Sequence, residues 1–143
     1  MEPLKLAAFD ADDLAILSAH LQDAVVRVGD TTYLPEQRRF VLVGRRFDWQ
    51  AREREPRRRL TGCHFERVLS VKTRGIDRSR PDEVLNLLAI TFEPGESPSG
   101  AAILHFAGGG CVRLELECVE ALMKDLGPIW AAETRPAHDV ERA

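Results

Sequence analysis

The chain has 143 residues, 44% hydrophobic and 30% charged, with a net charge of −3. A chain of this size buries roughly 70% of its unfolded surface, so one globular domain needs no disulfide framework. No stretch approaches the ~20 apolar residues of a membrane helix, no signal peptide is recognisable, and three cysteines without a CxxC pair (Cys63, Cys111, Cys118) suit a reducing cytosol.

Charge is unevenly spread. Residues 1–37 carry −5, residues 38–80 carry +9 and residues 81–143 carry −7. Such a division implies either a basic face on an acidic body or internal pairing of the two.

Leu4 to Phe9 reads as a short edge strand. Phe9, Asp10 and Leu14 fit a hydrophobic staple around an N-cap, with Asp13 near the capping-box position. Leu14, Leu17 and Leu21 form a helical stripe. Ala24, Val26 and Val28 begin a strand that Gly29-Asp30 should bend or bulge. Leu34-Pro35-Glu36-Gln37 is a turn. Phe40 to Trp49 is a second strand, with Val41, Val43, Phe47 and Trp49 expected on its apolar face.

Residues 50–61, QAREREPRRRLT, break the pattern and predict a solvated, mobile loop. One strand should follow, with Cys63, Phe65, Leu69 and Val71 on one face and His64, Glu66, Ser70 and Lys72 opposite. Gly75 to Asp82 is a polar loop. Val84, Leu85, Leu87, Leu88, Ala89, Ile90 and Phe92 form a near-continuous apolar run, which predicts a strand covered on both faces. The loop from Pro94 to Gly100 ends it.

Ala102, Leu104 and Phe106 then share a face, and Gly108-Gly109-Gly110 predicts a hairpin turn. Val112, Leu114 and Leu116 alternate with Arg113, Glu115 and Glu117, the pattern of a sheet with one dry and one wet side. Val119, Leu122, Met123 and Leu126 fall at i, i+3, i+4 and i+7 and predict a final helix, stopped by Gly127 and Pro128. The residues after Trp130 form a polar tail. The expected organisation is one domain over 1–130 and a tail over 131–143. The expected fold class is α+β: a mostly antiparallel sheet or partly closed barrel of about six or seven strands, with an N-terminal and a C-terminal helix in a pleckstrin-homology-like order. Fold order of this kind carries no function.

Several phrases occur together: SAHLQDAVVRVGDTTYLPEQRRFVLVGRRFDW, FERVLSV, RGIDR, LLAITFEPG, LHFAGGG and DLGPIW. From about Leu4 to Trp130 they resemble a family of short bacterial proteins, chiefly alphaproteobacterial, known only as a domain of unknown function. The resemblance implies one domain and a bacterial cytosolic setting, and carries over no activity, cofactor or catalytic residue.

No reactive constellation is assembled by the residues themselves. His105 and Cys111 flank the predicted hairpin, yet zinc sites use paired ligands at short spacing, and Cys63, His64 and Cys118 supply none. Cys118 would stand at the start of the predicted helix, where a thiol is activated, but Glu115, Glu117 and Glu120 oppose that. The glycine triplet lacks the G-x-S-x-G and G-x-x-x-x-G-K-[ST] contexts of catalytic and phosphate loops. The carboxylate pairs Asp12/Asp13, Asp82/Glu83 and Glu115/Glu117 have polar settings.

The strongest remaining signal is basic. Arg52, Arg54, Arg57, Arg58 and Arg59, with Arg38, Arg39, Arg45 and Arg46 near them, are candidates to bind an anion. Phe47 and Trp49 would stack on bases if they were outside the core. A sequence pI of ≈ 5.8 argues against a dedicated nucleic-acid protein. The expectation is a cytosolic, non-catalytic binding or protein-interaction module, needing no metal or cofactor, whose partner is another protein or a second copy. The alternatives are nucleic-acid or other polyanion binding through residues 52–59, and an enzyme of unrecognised type.

Overall fold

The structure, a computed structural model, describes residues 3–48 and 57–131. Among them are nine strands and one α-helix: β1 (Lys5–Ala8), α1 (Ala11–Leu21), β2 (Val25–Leu34), β3 (Arg39–Phe47), β4 (Arg57–Phe65), β5 (Val68–Arg74), β6 (Val84–Pro94), β7 (Gly100–Phe106), β8 (Cys111–Leu116) and β9 (Ala121–Ala131). The strands form one antiparallel sheet in the order β1-β9-β4-β3-β2-β6-β7-β8-β5. The expected mostly antiparallel sheet is present, as an open sheet with more than the six or seven strands foreseen.

The start of α1 follows its sequence. Asp10 accepts a hydrogen bond from the Asp13 amide at 2.8 Å, and Asp13 accepts one from the Phe9 amide at 3.0 Å. This reciprocal cap satisfies donors that a helix start leaves open. Leu14, Leu17 and Leu21 are buried, whereas Ile16 faces solvent, and so does Phe9, which the expected staple would have covered. The helix lies mainly on β6, β1 and β3. Ser18 Oγ fixes it to β6 by accepting from the Ile90 amide at 2.8 Å.

Strand β2 bends where Gly29-Asp30 indicated. Its register to β3 shifts between Val26 and Thr31. There the Val28 and Gly29 amides turn to the carbonyls of Glu83 and Pro81, at 2.9 and 2.8 Å. The bulge thus lies between two stretches paired with β3, and at it the chain bonds to the segment leading into β6. A short 3-10 turn at Pro35–Gln37 follows, with Arg38 left-handed at φ 52°.

One contiguous core takes residues from α1 and from strands at opposite ends of the sheet, among them Met123 of β9, Phe65 of β4, Leu87 of β6 and Leu114 of β8. The sheet must therefore curl around that core. The curl brings the start of β5 to the β2–β3 connection. The Val68 amide donates to Arg38 O at 2.8 Å, and Tyr33 Oη donates to Val68 O at 2.9 Å.

Four expectations are corrected. Residues 121–131 are strand β9, not a helix, and β9 pairs with both β1 and β4. The pleckstrin-homology-like order loses the closing helix on which the likeness rested. Residues 57–61 belong to β4 and are no loop; 50–56 lie outside the described residues, as does the tail beyond Ala131. The stretch from Cys63 to Val71 is two strands, separated at Glu66-Arg67, where Arg67 takes φ 60°. In consequence Val68 is buried and Leu69 exposed.

Strand phases also differ. In β3 the deeply buried face is Phe40, Leu42, Gly44 and Arg46, while Val41 and Val43 are only half-buried. Gly44 sits there because a Cβ would lie 2.8 Å from Val25 O and 2.9 Å from Val26 Cγ2. In β6, Leu88 is exposed and not covered. It is the extra residue of a bulge, since Leu87 pairs with Phe106 and Ala89 with His105.

Candidate functional site

The inward faces of β3, β4 and β9 form rows across the sheet. Phe40, Phe65 and Ala121 make one row, and Leu42, Cys63 and Met123 the next. The row after that is Gly44, Thr61 and Asp125. Then Arg46 pairs directly with Arg59. The core thus changes from apolar to ionic along the strands.

Two arginines side by side repel each other, and burying either without a counter-charge is costly. Asp125 and Asp48 supply the counter-charges. Arg46 grips Asp125 with both arms of its guanidinium, Nε to Oδ1 and Nη2 to Oδ2, each at 2.9 Å. Arg59 Nε donates to Asp48 Oδ2 at 2.9 Å. Longer contacts tie the pairs together: Arg59 Nε to Asp125 Oδ2 at 3.8 Å and Arg46 Nη1 to Asp48 Oδ1 at 4.0 Å. All four groups are buried, so the cluster is a neutral quartet.

Asp125 also accepts from Thr61 Oγ1 at 2.7 Å and from the Leu4 amide at 2.7 Å. Four donors fill about all the acceptor sites a carboxylate has. Burial would raise its pKa, but the Arg46, Leu4 and Thr61 hydrogen bonds outweigh it and hold the group at about 2. A carboxylate so saturated and so acidic is no proton acceptor near neutrality. Its work is structural, since the Asp125 amide also donates to Leu4 O at 2.9 Å and fastens β1 to β9.

His20, in the last turn of α1, stands beside this quartet. Its Nδ1 is buried without a hydrogen-bond partner among the described residues. Burial lowers its pKa and Arg46 lowers it further, while Asp125 and Asp48 pull the other way. The net direction favours the neutral imidazole over the charged one.

The arginine segment divides. Arg52 and Arg54 lie outside the described residues, as does the side chain of Arg57, whose backbone pairs with Ala131. Arg58 is buried, donates to Arg45 O at 2.8 Å and Asp23 O at 3.3 Å, and lies 5.9 Å over the Phe47 ring. Arg59 belongs to the quartet. Phe47 is buried under Arg58, and Trp49 lies outside the described residues.

The other sequence candidates are dispersed. His105 and Cys111 do meet, as partners across β7 and β8, and His105 Nε2 lies 2.8 Å from Thr91 Oγ1. Cys63 is buried in the core, which pushes its thiol up to about 12. No helix begins at Cys118. His64 lies 2.6 Å from Glu66, which Arg39 also holds at 2.7 Å. Among the described residues no three His, Cys, Asp or Glu side chains are grouped to hold a metal ion. The glycine triplet makes the hairpin, closed by Phe106 N to Gly110 O at 2.8 Å.

The outer face of β6, β7, β8 and β5 shows a different arrangement. Thr91, Ile103, Arg113 and Lys72 form one row; Ala89, His105, Cys111 and Arg74 form the next. Lys72, Thr73, Arg74, Ile103, Cys111 and Arg113 line a shallow hollow of ≈ 340 Å³. Arg113 is engaged by Glu115 and, at 2.9 Å, by Glu93. Lys72 and Arg74 are exposed, and neither makes a side-chain hydrogen bond or ion pair among the described residues. The sequence reading did not single out these two. The signal was present in the alternation of VLSVKTR, which puts Lys72 and Arg74 on one face of a strand.

No curated protein and no solved structure matches the chain. Residues 4–138 match the family described as "Protein of unknown function (DUF2948)", the kind of family the sequence phrases resembled, and the chain belongs to that family.

Proposed function

We propose that this protein is a non-catalytic interaction module that takes an acidic, extended segment of another protein onto β5. The observation carrying this reading is the position of β5 at one end of the sheet with Lys72 and Arg74 exposed and uncompensated. An end strand turns every second residue's amide and carbonyl outward, a template for a further strand. Among the described residues, only the beginning of β5 is occupied, at Val68. An added strand runs about 4.8 Å away, and its alternate side chains share the face of Lys72 and Arg74. Acidic residues there would neutralise both cations. The buried quartet complements this reading, because its charges are already satisfied from within.

Polyanion binding through residues 52–59 ranks second, since Arg58 and Arg59 are engaged by carbonyls and by Asp48. The setting we assign is the cytosol, which suits three free thiols. No helix among the described residues is long and apolar enough to cross a membrane.

Fluorescence polarisation with a short labelled peptide alternating glutamate and valine tests the proposal. Saturable binding is expected, weakening with salt. A Lys72→Glu/Arg74→Glu variant should lose about tenfold or more in affinity, roughly 1.4 kcal/mol or more. No binding, or equal binding by the variant and by a lysine–valine peptide, contradicts it.

A further inference from the structure

The hollow beside β5 is more specific than an acidic preference requires. Lys72 and Arg74 are two residues apart on one strand face, so their Cα atoms are about 7 Å apart, and both long side chains reach a common point. Lys72 is also paired directly with Arg113 across β5 and β8. Three cations therefore border one depression, with Ile103 on the neighbouring strand giving it an apolar wall. Glu93 and Glu115 offset much of Arg113. Among the described residues, the uncompensated charge is that of Lys72 and Arg74.

A single carboxylate matches only one of them. A phosphorylated side chain carries about −1.5 to −2 near neutrality and three acceptor oxygens. It matches both cations at once, with a guanidinium fork on one side and an ammonium on the other. We infer that the segment docking on β5 carries a phosphorylated serine or threonine, whose phosphoryl group sits in the hollow between Lys72, Arg74 and Arg113. The inference rests on the reading of β5 as the docking strand. On an added strand, a residue whose side chain points to the outer face lies beside Lys72 or Arg74, within reach of this seat. The seat takes one phosphoryl group and not a run of them. Glu93 and Glu115 stand on the same face and repel a nucleic-acid backbone passing across it.

The test uses one β-prone peptide in three forms, with serine, glutamate or phosphoserine at its centre. Inorganic phosphate serves as competitor and a single-stranded oligonucleotide as the rival anion. The phosphoserine form should bind about tenfold or more tighter than the glutamate form, and inorganic phosphate should reduce that advantage. A Lys72→Ala/Arg74→Ala variant with an unchanged melting temperature should erase the difference. Equal affinity for the phosphoserine and glutamate forms overturns the phosphoryl seat and leaves the β5 reading standing. Failure of all three peptides overturns both. Tighter binding of the oligonucleotide than of the phosphopeptide, or a phosphoserine advantage that survives in the variant, also overturns the seat.

Discussion

Asp125→Ala is expected to destabilise the protein by about 3–5 kcal/mol, the range for removing one partner of a buried ion pair. The substitution leaves the Arg46 guanidinium buried at the end of the core with its two-armed acceptor gone. It also releases Thr61 Oγ1 and the Leu4 amide, so β1 loses a fastening to β9. Against a typical stability of about 5–15 kcal/mol, this approaches loss of the fold. Chemical denaturation at pH 7 measures it. Replacing the pair together, as Arg46→Met/Asp125→Leu, should cost less than the single change, because no charge is stranded. Acid acts on the same group. The folded pKa of about 2 lies below the ordinary 3.8, so the contribution is complete above pH 3.8 and disappears as pH falls through about 2. The linked stability is about 2 kcal/mol. The gap between wild type and Asp125→Ala should accordingly narrow at low pH.

Phe65→Ala is the second large effect, at about 3–5 kcal/mol. Phe65 is fully buried and stands between Phe40 and Ala121 in the first inward row. The next residue begins the turn into β5, and the Glu66 amide donates to Glu120 O at 2.8 Å. A cavity there has little chance of collapsing, since β3, β4 and β9 are held on both sides by their ladders. Urea unfolding should show a lowered midpoint at unchanged slope. A changed slope would mean that the native state had loosened as well.

Where side chains obeyed a local rule, the sequence was readable. The cap at Asp10, the stripe Leu14-Leu17-Leu21, the bulge at Gly29-Asp30, and the alternations of β7 and β8 all follow from neighbours close in the chain. Several of the failures share one physical cause. Asp125 and Arg46 face inward only because each supplies the other's charge from a distant strand. With Asp125 taken as exposed, Val119, Leu122, Met123 and Leu126 look helical. With Asp125 admitted to the core, Ala121, Met123 and Asp125 show the period of a strand. The inward phase of β3 was likewise hidden by Arg46, and the strand identity of residues 57–61 by Arg58 and Arg59. Arg67 left no local mark, because it turns the chain at positive φ without a glycine. The pairing of Lys72 with Arg113 is equally long-range, so the hollow emerged only with the sheet order.

Amide hydrogen exchange on the free protein and on its complex with the phosphoserine peptide addresses the account most directly. Slowed exchange confined to Ser70–Arg74 and the facing residues of β8 is the predicted result. Protection centred on His20, Arg46 and Asp125, with β5 unaffected, would contradict it, placing the working surface at the ionic end of the core.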